Sequence, residues 1–329
     1  MNVSRIILIQ LQLNQQLSVL NYQQIFLTPE PNKCLQLRNR KKILIVGSDG
    51  VMGKYLYENL DRNYYDLKKT TMRMNLVNAA THFLDLLDIN SIDNLDIDGF
   101  DVALFFASKT NMQECEDNFE EAYQVNVVST LKLIRKLSEV NCSVIFPSTS
   151  LVFGGKKPYP GVHDELDPAG TYANFKKEVE ENLFDINPNK ITILRISKII
   201  DYNFPLFFDW KVKLLKDEEV EPFNDLIFSP ISICFLSKVI VQIIKKNFSG
   251  ILNVSAKSDI SYADAARYMS NKLGLSLDKI KSKSAKGILA DFHLPKFASM
   301  DSSSLNSLGL EAPHPYKSVD FFLRSNSYN

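Results

Sequence analysis

The stretch KKILIVGSDGVMGKYLYENL, residues 41–60, runs from an apolar segment through a glycine turn into a helical pattern. The segment ILIV predicts a buried parallel strand, because strands covered on both faces are almost continuously apolar. Gly47, Gly50 and Gly53 form the pattern GxxGxxG at the junction. There, the first glycine permits a tight turn, the second a close approach to a pyrophosphate, and the third close helix packing. The order therefore predicts a dinucleotide-binding unit; the alternative is a glycine-rich connection that binds nothing.

Apolar strand segments alternate with helical segments over the next 150 residues, which predicts an α/β, doubly wound parallel sheet, the Rossmann fold. The predicted strands are YDLKKTTMR (65–73), THFLDLLD (81–88), FDVALFFAS (100–108), CSVIFPSTS (142–150) and KITILRIS (190–197). Helices are predicted around residues 118–140 and from Tyr172.

The alternation loosens after Ser197, where we predict a helix over 229–246, a strand over 250–256 and a helix over 261–274. Ser261 is the candidate N-cap of that last helix, and Gly274 its candidate C-terminal stop. We therefore divide the chain into an NAD(P)-binding domain, 41–200, and a smaller C-terminal substrate-binding lobe, 201–329. Part of that lobe could return to the sheet.

Composition narrows the class of protein. The chain has 329 residues, with 38 Lys and Arg against 38 Asp and Glu, which argues against a nucleic-acid partner. Its four cysteines are scattered without a metal-binding spacing, so we expect no metal site and a cytoplasmic location. No run of 18 apolar residues exists, so we expect no membrane span.

Glutamines interrupt the apolar run near the start. We interpret residues 1–40 as a poorly structured N-terminal extension, either a docking segment or a mis-assigned start.

The residues after the second strand bear on the choice of cofactor. Lys68, Lys69 and Arg73 stand there without a well-placed terminal acid. Basic residues suit the 2′-phosphate of NADP, whereas an acid would hold the ribose of NAD. This favours NADP, but lysines of a solvated loop would look the same, so NAD stays open.

The stretch GTYANFKKEVE, residues 170–180, places Tyr172 four residues before Lys176. Residues four apart share one helical face, so a phenol and an ammonium can act together there. Chance also supplies this spacing in many helices.

Together these motifs resemble the extended short-chain dehydrogenase/reductase superfamily, and most closely its dTDP-4-dehydrorhamnose reductase family. The resemblance covers residues 42–323 and includes the segment ending at Asn126, the segment FPSTSLVFGG, the Tyr-x-x-x-Lys pair followed by Glu180, and the strand ILRIS.

The resemblance implies reduction of a nucleotide-linked keto-sugar by NADP or NAD in polysaccharide or cell-surface glycan synthesis. It makes Tyr172 the proton donor, with a pKa lowered towards working pH, Lys176 its electrostatic partner, and Thr149 the group that polarises the substrate oxygen. Thr149 could instead only cap the end of its strand, and Asp85 could be only a turn residue. The implied cofactor contacts are Gly47, Gly50, Val51, Met52, Gly53, Asp85, Leu86, Ser108, Lys109, Thr110, Tyr172 and Lys176. Relatives of this kind suggest a homodimer.

Two positions depart from the family and leave the sugar open. Ser150 replaces an Asp, and Lys198 replaces a Trp expected to face the sugar. With Thr149, these two residues are the expected substrate contacts, and Lys198 would suit an acidic sugar or the diphosphate. The alternatives are an epimerase or dehydratase of the same superfamily, and a non-catalytic cofactor-binding regulatory subunit.

Overall fold

The computed structural model describes residues 40–286, 288 and 294–325. The predicted extension, residues 1–40, lies outside this range except for Arg40. The strands are β1 (Lys41–Val46), β2 (Tyr65–Thr71), β3 (Thr81–Phe83), β4 (Val102–Phe105), β5 (Ser143–Thr149), β6 (Ile191–Ile196), β7 (Lys198–Ile200), β8 (Ile227–Phe228), β9 (Pro230–Ser232), β10 (Gly250–Val254) and β11 (Ile260–Ser261). The α-helices are α1 (Val51–Asn59), α2 (Ile89–Asp93), α3 (Met112–Asp117), α4 (Phe119–Tyr123), α5 (Thr130–Glu139), α6 (Thr171–Ile186), α7 (Pro205–Leu215), α8 (Ile233–Lys246), α9 (Tyr262–Lys272) and α10 (Tyr316–Ser325).

Seven parallel strands form the central sheet in the order β10-β6-β5-β4-β1-β2-β3. The strand order reverses at β1, which pairs with β2 on one side and β4 on the other. This arrangement confirms the predicted doubly wound Rossmann fold. In such sheets a ligand binds beyond the carboxyl ends of the strands at the point of reversal.

Alternate side chains of each strand enter two separate cores. Leu44 and Val46 of β1 pack in the core beneath α5 and α6, whereas Ile43 and Ile45 pack on the opposite side with α1 and α8. All four are fully buried, which explains the continuous apolar run that predicted this strand.

The C-terminal lobe has its own aromatic core. Phe207 of α7 stacks on Trp210 and makes edge contacts with Phe228 and Phe322. Two small sheets support it: β7 pairs with β9, and β8 pairs with β11. From the same C-terminal region, β10 lies beside β6 as the outer strand of the central sheet. The division of the chain near residue 200 stays a prediction.

Local chemistry accounts for the ends of two C-terminal helices. The predicted helix over 229–246 is wrong for its first residues, because Pro230–Ser232 pairs as β9. The Ser232 side chain then accepts a hydrogen bond from the N–H of Phe235 and begins α8. In α9 the predicted N-cap Ser261 forms a capping box with Asp264, and Gly274 follows the helix with φ +70°.

Candidate active site

The glycine turn lies against the strand on the other side of the reversal point. Gly47 has φ +84°, and a side chain there would meet the backbone nitrogen of Ala107, just beyond β4, at 2.4 Å. A side chain on Gly53 would meet the carbonyl oxygen of Gly47 at 2.4 Å. Within the described part of the chain, a side chain on Gly50 would, in contrast, have only that oxygen near it, at 3.6 Å. Packing therefore requires Gly47 and Gly53, and leaves room beside Gly50 for another molecule.

The N-terminus of α1 opens into that space. Gly50 is the N-cap and gives no side-chain hydrogen bond to the first turn. Val51 is 59% exposed, whereas Met52 is buried against the core. Uncapped N–H groups and the positive end of the helix dipole favour a phosphate. These residues thus fit the pyrophosphate of a dinucleotide.

Hydrogen bonds hold the turn against the end of β2. The backbone N–H of Gly47 donates to the Thr70 hydroxyl at 3.0 Å, and the Ser48 hydroxyl donates to the Thr70 carbonyl at 2.8 Å. The Thr71 hydroxyl donates to Asp49 Oδ2 at 2.7 Å. The turn and the strand end therefore form one rigid corner.

That corner contains an acid that our sequence analysis missed. Asp49 comes from the turn rather than from β2, so a search for an acid at the strand end does not find it. Arg73 lies just beyond β2, with Nε 3.9 Å from Asp49 Oδ1, and its side chain is 62% exposed. Lys68 and Lys69 are strand residues rather than residues of a solvated loop. The Lys69 ammonium lies over the Tyr57 ring, 4.3 Å from its centre.

The predicted adenine contacts, Asp85 and Leu86, follow β3. Asp85 Oδ1 accepts a hydrogen bond from the N–H of Leu87 at 2.9 Å, so its carboxylate does stabilise a turn. The Ser129 hydroxyl donates to the carbonyl of Leu86. Both contacts secure the segment that leads into α2.

Asn126 clamps the segment that contains Ser108, Lys109 and Thr110. Its Oδ1 accepts from the Ser108 hydroxyl and from the Lys109 N–H, each at 2.8 Å. Its Nδ2 donates to the Lys109 carbonyl at 2.9 Å. Asn126 is 1% exposed and lies in a π-helical turn, Gln124–Ser129, between α4 and α5. Such turns occur frequently at functional sites.

The side chain of Lys109 is engaged by acids. Its ammonium lies 2.6 Å from Glu114 Oε1 and 2.8 Å from Glu121 Oε1. These hydrogen bonds raise the pKa of Lys109. Its charge is therefore compensated within the protein.

Tyr172 and Lys176 lie in the first two turns of α6, against β5. The Lys176 ammonium is 4.5 Å from the centre of the Phe146 ring and 5.7 Å from that of the Tyr172 ring. Phe146 is a residue of β5, the strand that ends at Thr149. Lys176 therefore lies between the phenol and the strand that carries the predicted hydroxyl.

Thr149 does cap a turn, as the alternative interpretation expects. Its Oγ1 accepts a hydrogen bond from the N–H of Leu151 at 3.3 Å, at the start of the 3₁₀ turn Ser150–Phe153. The residue is 9% exposed. A hydroxyl that accepts one hydrogen bond keeps its own hydrogen, so Thr149 can still donate to a substrate oxygen.

Burial shifts both titrating groups of the pair. It raises the pKa of Tyr172, with a further rise from Cys115, which contradicts the lowered value expected from the sequence. The reason is that an apolar surrounding disfavours the tyrosinate anion. Burial lowers the pKa of Lys176 to about 8, although Glu180 and Cys115 act in the opposite direction. A phenol with a raised pKa stays protonated at working pH, and the Lys176 ammonium beside it would favour the tyrosinate when the proton is given up.

Cys115, on α3, is a neighbour of this pair that our sequence analysis did not single out. It is fully buried, and its thiol donates to the Lys109 carbonyl at 3.5 Å. A scattered cysteine carries no spacing by which sequence reasoning could find it.

Lys198 lies at the same edge of the sheet as Thr149. Thr149 pairs with Ile196 across β5 and β6, and Lys198 begins β7 two residues later. Its side chain is exposed, with the ammonium 5.4 Å from the centre of the Phe204 ring. Surrounding protein still lowers its pKa. No ion pair of Lys198 occurs among the described residues, so its exposed cation has no acidic partner there.

Three other observations on the described residues concern cavities, metal-binding groups and membrane-spanning helices. A cavity of about 420 Å³ has none of the predicted site residues in its lining. Its lining is Tyr159, Ala256, Lys257, Met300, Asp301, Ser302, Ser303, Asn306, Glu311 and Ala312. Within the described ranges, no three His, Cys, Asp or Glu residues are grouped to hold a metal ion. In that same part of the chain, no helix has the length and apolar character to cross a bilayer.

Comparison with known proteins assigns the family. The family model described as "RmlD substrate binding domain" matches residues 41–324. The chain belongs to this family. The membership confirms the resemblance to dTDP-4-dehydrorhamnose reductases that the motifs indicated.

Individual relatives agree with this assignment. The chain is 24% identical over 241 residues to the spore coat polysaccharide biosynthesis protein SpsK of Bacillus subtilis, covering 71% of this chain and 80% of SpsK. It is 28% identical over 178 residues to a dTDP-4-dehydrorhamnose reductase of Sinorhizobium fredii, covering 51% of this chain and 60% of the relative.

A solved structure shares the fold. The dTDP-4-dehydrorhamnose reductase of Bacillus anthracis, in complex with NADP, is 20% identical with a TM-score of 0.75. The match covers 86% of this chain and 99% of the reductase.

Proposed function

We propose that the protein reduces a nucleotide-linked keto-sugar with NADPH or NADH, in the synthesis of a polysaccharide or cell-surface glycan. The observation that carries this proposal is the pair of half-buried Tyr172 and buried Lys176 beside the end of β5, at the edge of the sheet where the glycine turn opens. Membership of the reductase family and the similarity to a spore coat polysaccharide biosynthesis protein support the same conclusion.

Tyr172, Lys176 and Thr149 each have a definite task in such a reduction. Tyr172 donates its phenolic proton to the carbonyl oxygen of the sugar as that oxygen becomes a hydroxyl. The Lys176 ammonium stabilises the resulting tyrosinate, and the Thr149 hydroxyl donates a hydrogen bond to the same substrate oxygen. The nicotinamide cofactor, when bound, supplies the hydride that the carbonyl carbon receives.

The cofactor would lie along the corner formed by the glycine turn and the end of β2. Gly47, Gly50, Val51, Met52 and Gly53 would surround the pyrophosphate. Asp85 and Leu86 would lie beside the adenine, and the clamped segment Ser108, Lys109 and Thr110 would face the nicotinamide side. Arg73 supports NADP because its guanidinium suits a 2′-phosphate, whereas Asp49 would accept a hydrogen bond from the ribose of NAD. Both cofactors therefore belong in the test.

We propose that Ser150 and Lys198 contact the substrate together with Thr149. Lys198 is an exposed cation without an ion-pair partner among the described residues, so an oxyanion of the substrate could form an ion pair with its ammonium. That oxyanion would be a carboxylate on the sugar or the diphosphate of the nucleotide. A Lys198→Met variant separates the two: loss confined to acidic sugars indicates the carboxylate, whereas equal loss with neutral sugars indicates the diphosphate.

Substrate-dependent oxidation of NADPH and NADH, followed by nicotinamide absorbance, tests the proposed activity. The panel contains neutral and acidic nucleotide keto-sugars. Tyr172→Phe should lower kcat by about 100-fold to 10,000-fold while leaving cofactor binding intact, since general acid catalysis contributes about that much. Tyr268→Phe, which removes a phenol bonded to Asp320 in the C-terminal lobe, is the control and should keep full activity.

The outcomes separate the competing functions. Turnover without net cofactor oxidation would identify an epimerase or a dehydratase. Cofactor binding with no turnover of any sugar, in both the unmodified protein and Tyr172→Phe, would identify a regulatory subunit and overturn the proposed reductase.

We also propose the wider organisation expected from the sequence. Residues 41–200 would bind the cofactor, and residues 201–329 would supply most of the substrate lobe while returning β10 to the sheet. The unpaired thiols Cys115, Cys142 and Cys234 support a reducing, cytoplasmic setting. The balanced charge of the chain supports the absence of a nucleic-acid partner. A homodimer is proposed from the resemblance, and light scattering would test it.

A further inference from the structure

A buried ion pair crosses from α6 to β6 behind the candidate site. Glu180 and Arg195 are each 3% exposed. Arg195 donates from Nε at 2.9 Å and from Nη2 at 2.7 Å, and both hydrogen bonds end on Glu180 Oε2. Arg195 Nη1 donates to the Val162 carbonyl at 3.0 Å, and the guanidinium lies 5.0 Å from the centre of the Phe153 ring. The pair therefore joins the helix, the strand and the loop between β5 and α6.

The second oxygen of Glu180 is not used by this network. Glu180 Oε1 is buried and has no hydrogen-bond partner among the residues that the structure describes. A guanidinium usually binds a carboxylate through two parallel hydrogen bonds, one to each oxygen. Here both converge on one oxygen, which leaves half of a buried carboxylate without a direct contact. Such an unsatisfied oxygen is costly, so a role beyond this pair has to be sought.

Lys176 is the cation that this carboxylate affects. Glu180 lies four residues after Lys176 on α6, and helical side chains lean towards the N-terminus, so the carboxylate lies on the Lys176 side of its own turn. Burial lowers the pKa of Lys176 to about 8, and Glu180 is the largest influence that raises it. The groups around the ammonium are Tyr172 and Glu180 on α6, Cys115 on α3 and the Phe146 ring on β5.

We propose that Glu180 is a positioning residue: held by Arg195, its carboxylate keeps the Lys176 ammonium charged beside Tyr172. The proposal rests on the proposed function for the part Lys176 takes in the reaction. Without Glu180, the smaller influence of Cys115 would remain to oppose burial, and a neutral Lys176 could not stabilise a tyrosinate.

Stability alone does not account for this pair. Apolar residues of similar volume often replace a buried ion pair at little or no loss of stability. A purely structural pair would therefore leave the titration of Lys176 unchanged when both members are replaced together. The proposal requires that titration to change.

The test is the titration of Lys176 in the full-length protein. Carbon-13-labelled lysine gives an NMR signal for each side-chain Cε, and Lys176→Met identifies the signal of Lys176. In Glu180→Gln this signal should titrate about one pH unit lower, the small end of the effect of a neighbouring opposite charge, because the substitution removes the largest influence that opposes burial. The alkaline fall of kcat/KM should move to lower pH by the same amount.

Two further variants keep the result decisive. Glu181→Gln removes the same charge from an exposed position one residue along the helix, and should leave the Lys176 titration unchanged. If Glu180→Gln does not fold, Glu180→Leu combined with Arg195→Met retains an apolar filling and should still lower the pH at which Lys176 titrates, but by less, because the Arg195 charge is lost as well. An unchanged Lys176 titration in the folded Glu180 variant overturns the proposal. The NMR titration needs no substrate, so a failed reductase assay would not be mistaken for a failure of this role.

Discussion

Lys176 is almost completely enclosed, with 3% of its surface exposed, and its ammonium lies among aromatic rings. A cation in such surroundings loses hydration, and only nearby negative charge and the ring faces offset the loss. The buried ammonium is therefore unfavourable in free energy, and it lies next to the phenol that would use its charge.

The pH dependence of activity should reflect this lysine. Its pKa is lowered to about 8, so the ammonium is charged below that pH and neutral above it. We expect kcat/KM to fall as pH rises through about 8, because the tyrosinate then loses its partner. Rate measurements across the range check this, with Lys176→Met as a variant whose rate is low throughout. An unmodified protein whose kcat/KM stays constant up to pH 10 would contradict it.

Stability should change in the opposite direction over the same range. An unfolded lysine has a pKa of about 10.4, above the folded value, so the unfolded chain binds more protons between about pH 8 and pH 10.4. The contribution of Lys176 to the free energy of unfolding therefore increases with pH across this window. Activity and this part of the stability are opposed because the same buried charge produces both.

At the scale of elements, the glycines of the turn serve different purposes: Gly53 allows α1 to pack on the sheet, and Gly50 leaves space for the cofactor. Gly53→Ala should destabilise the protein, because the new methyl group would meet the Gly47 carbonyl oxygen at 2.4 Å and push α1 from the sheet. Gly50 has φ −78° and open space around it, so the Gly50→Ala variant should fold normally and lose affinity for the cofactor. Urea denaturation and cofactor titration measure the two effects. Equal affinity for the cofactor in Gly50→Ala and the unmodified protein would refute a pyrophosphate at this position.

The main strands and helices could be predicted because their sequence patterns are local. The apolar runs of β1, β4, β5 and β6 reflect burial on both faces, and the Ser261 capping box lies within four residues. Strand β9 was missed because three residues that pair with a distant partner carry no periodicity. Asp49 was missed for a related reason: only the packing of the turn on β2 brings its carboxylate to the strand end.

The candidate site shows the same limit. The spacing of Tyr172 and Lys176 on one helix predicts their proximity. It does not predict the raised pKa of Tyr172, since that rise comes from burial among other elements and, to a smaller extent, from Cys115. The pairing of Glu180 with Arg195 likewise depends on the packing of α6 against β6.

At the scale of the whole molecule, Asn253 joins segments that are far apart in the chain. It is fully buried in β10, and its Nδ2 donates to the Pro160 carbonyl at 3.0 Å and the Asp301 carbonyl at 3.2 Å. Asn253→Ala should lower the free energy of unfolding by about 1–3 kcal/mol, because two carbonyls lose their donor in a buried place.

Urea denaturation compares this variant with Asn306→Ala, which alters an exposed residue and should change stability little. If both variants unfold at the same urea concentration, the contribution assigned to Asn253 is wrong.

The position of β10 also bears on how the chain folds while it is being made. Strand β6 is complete at Ile196, but its outer neighbour is not synthesised until residues 250–254. During that interval the ribosome holds a nascent sheet with an open, apolar edge, which is the kind of surface that pairs with other chains. Translation that stalls between these two strands would therefore leave the nascent chain with this edge uncovered and prone to aggregate.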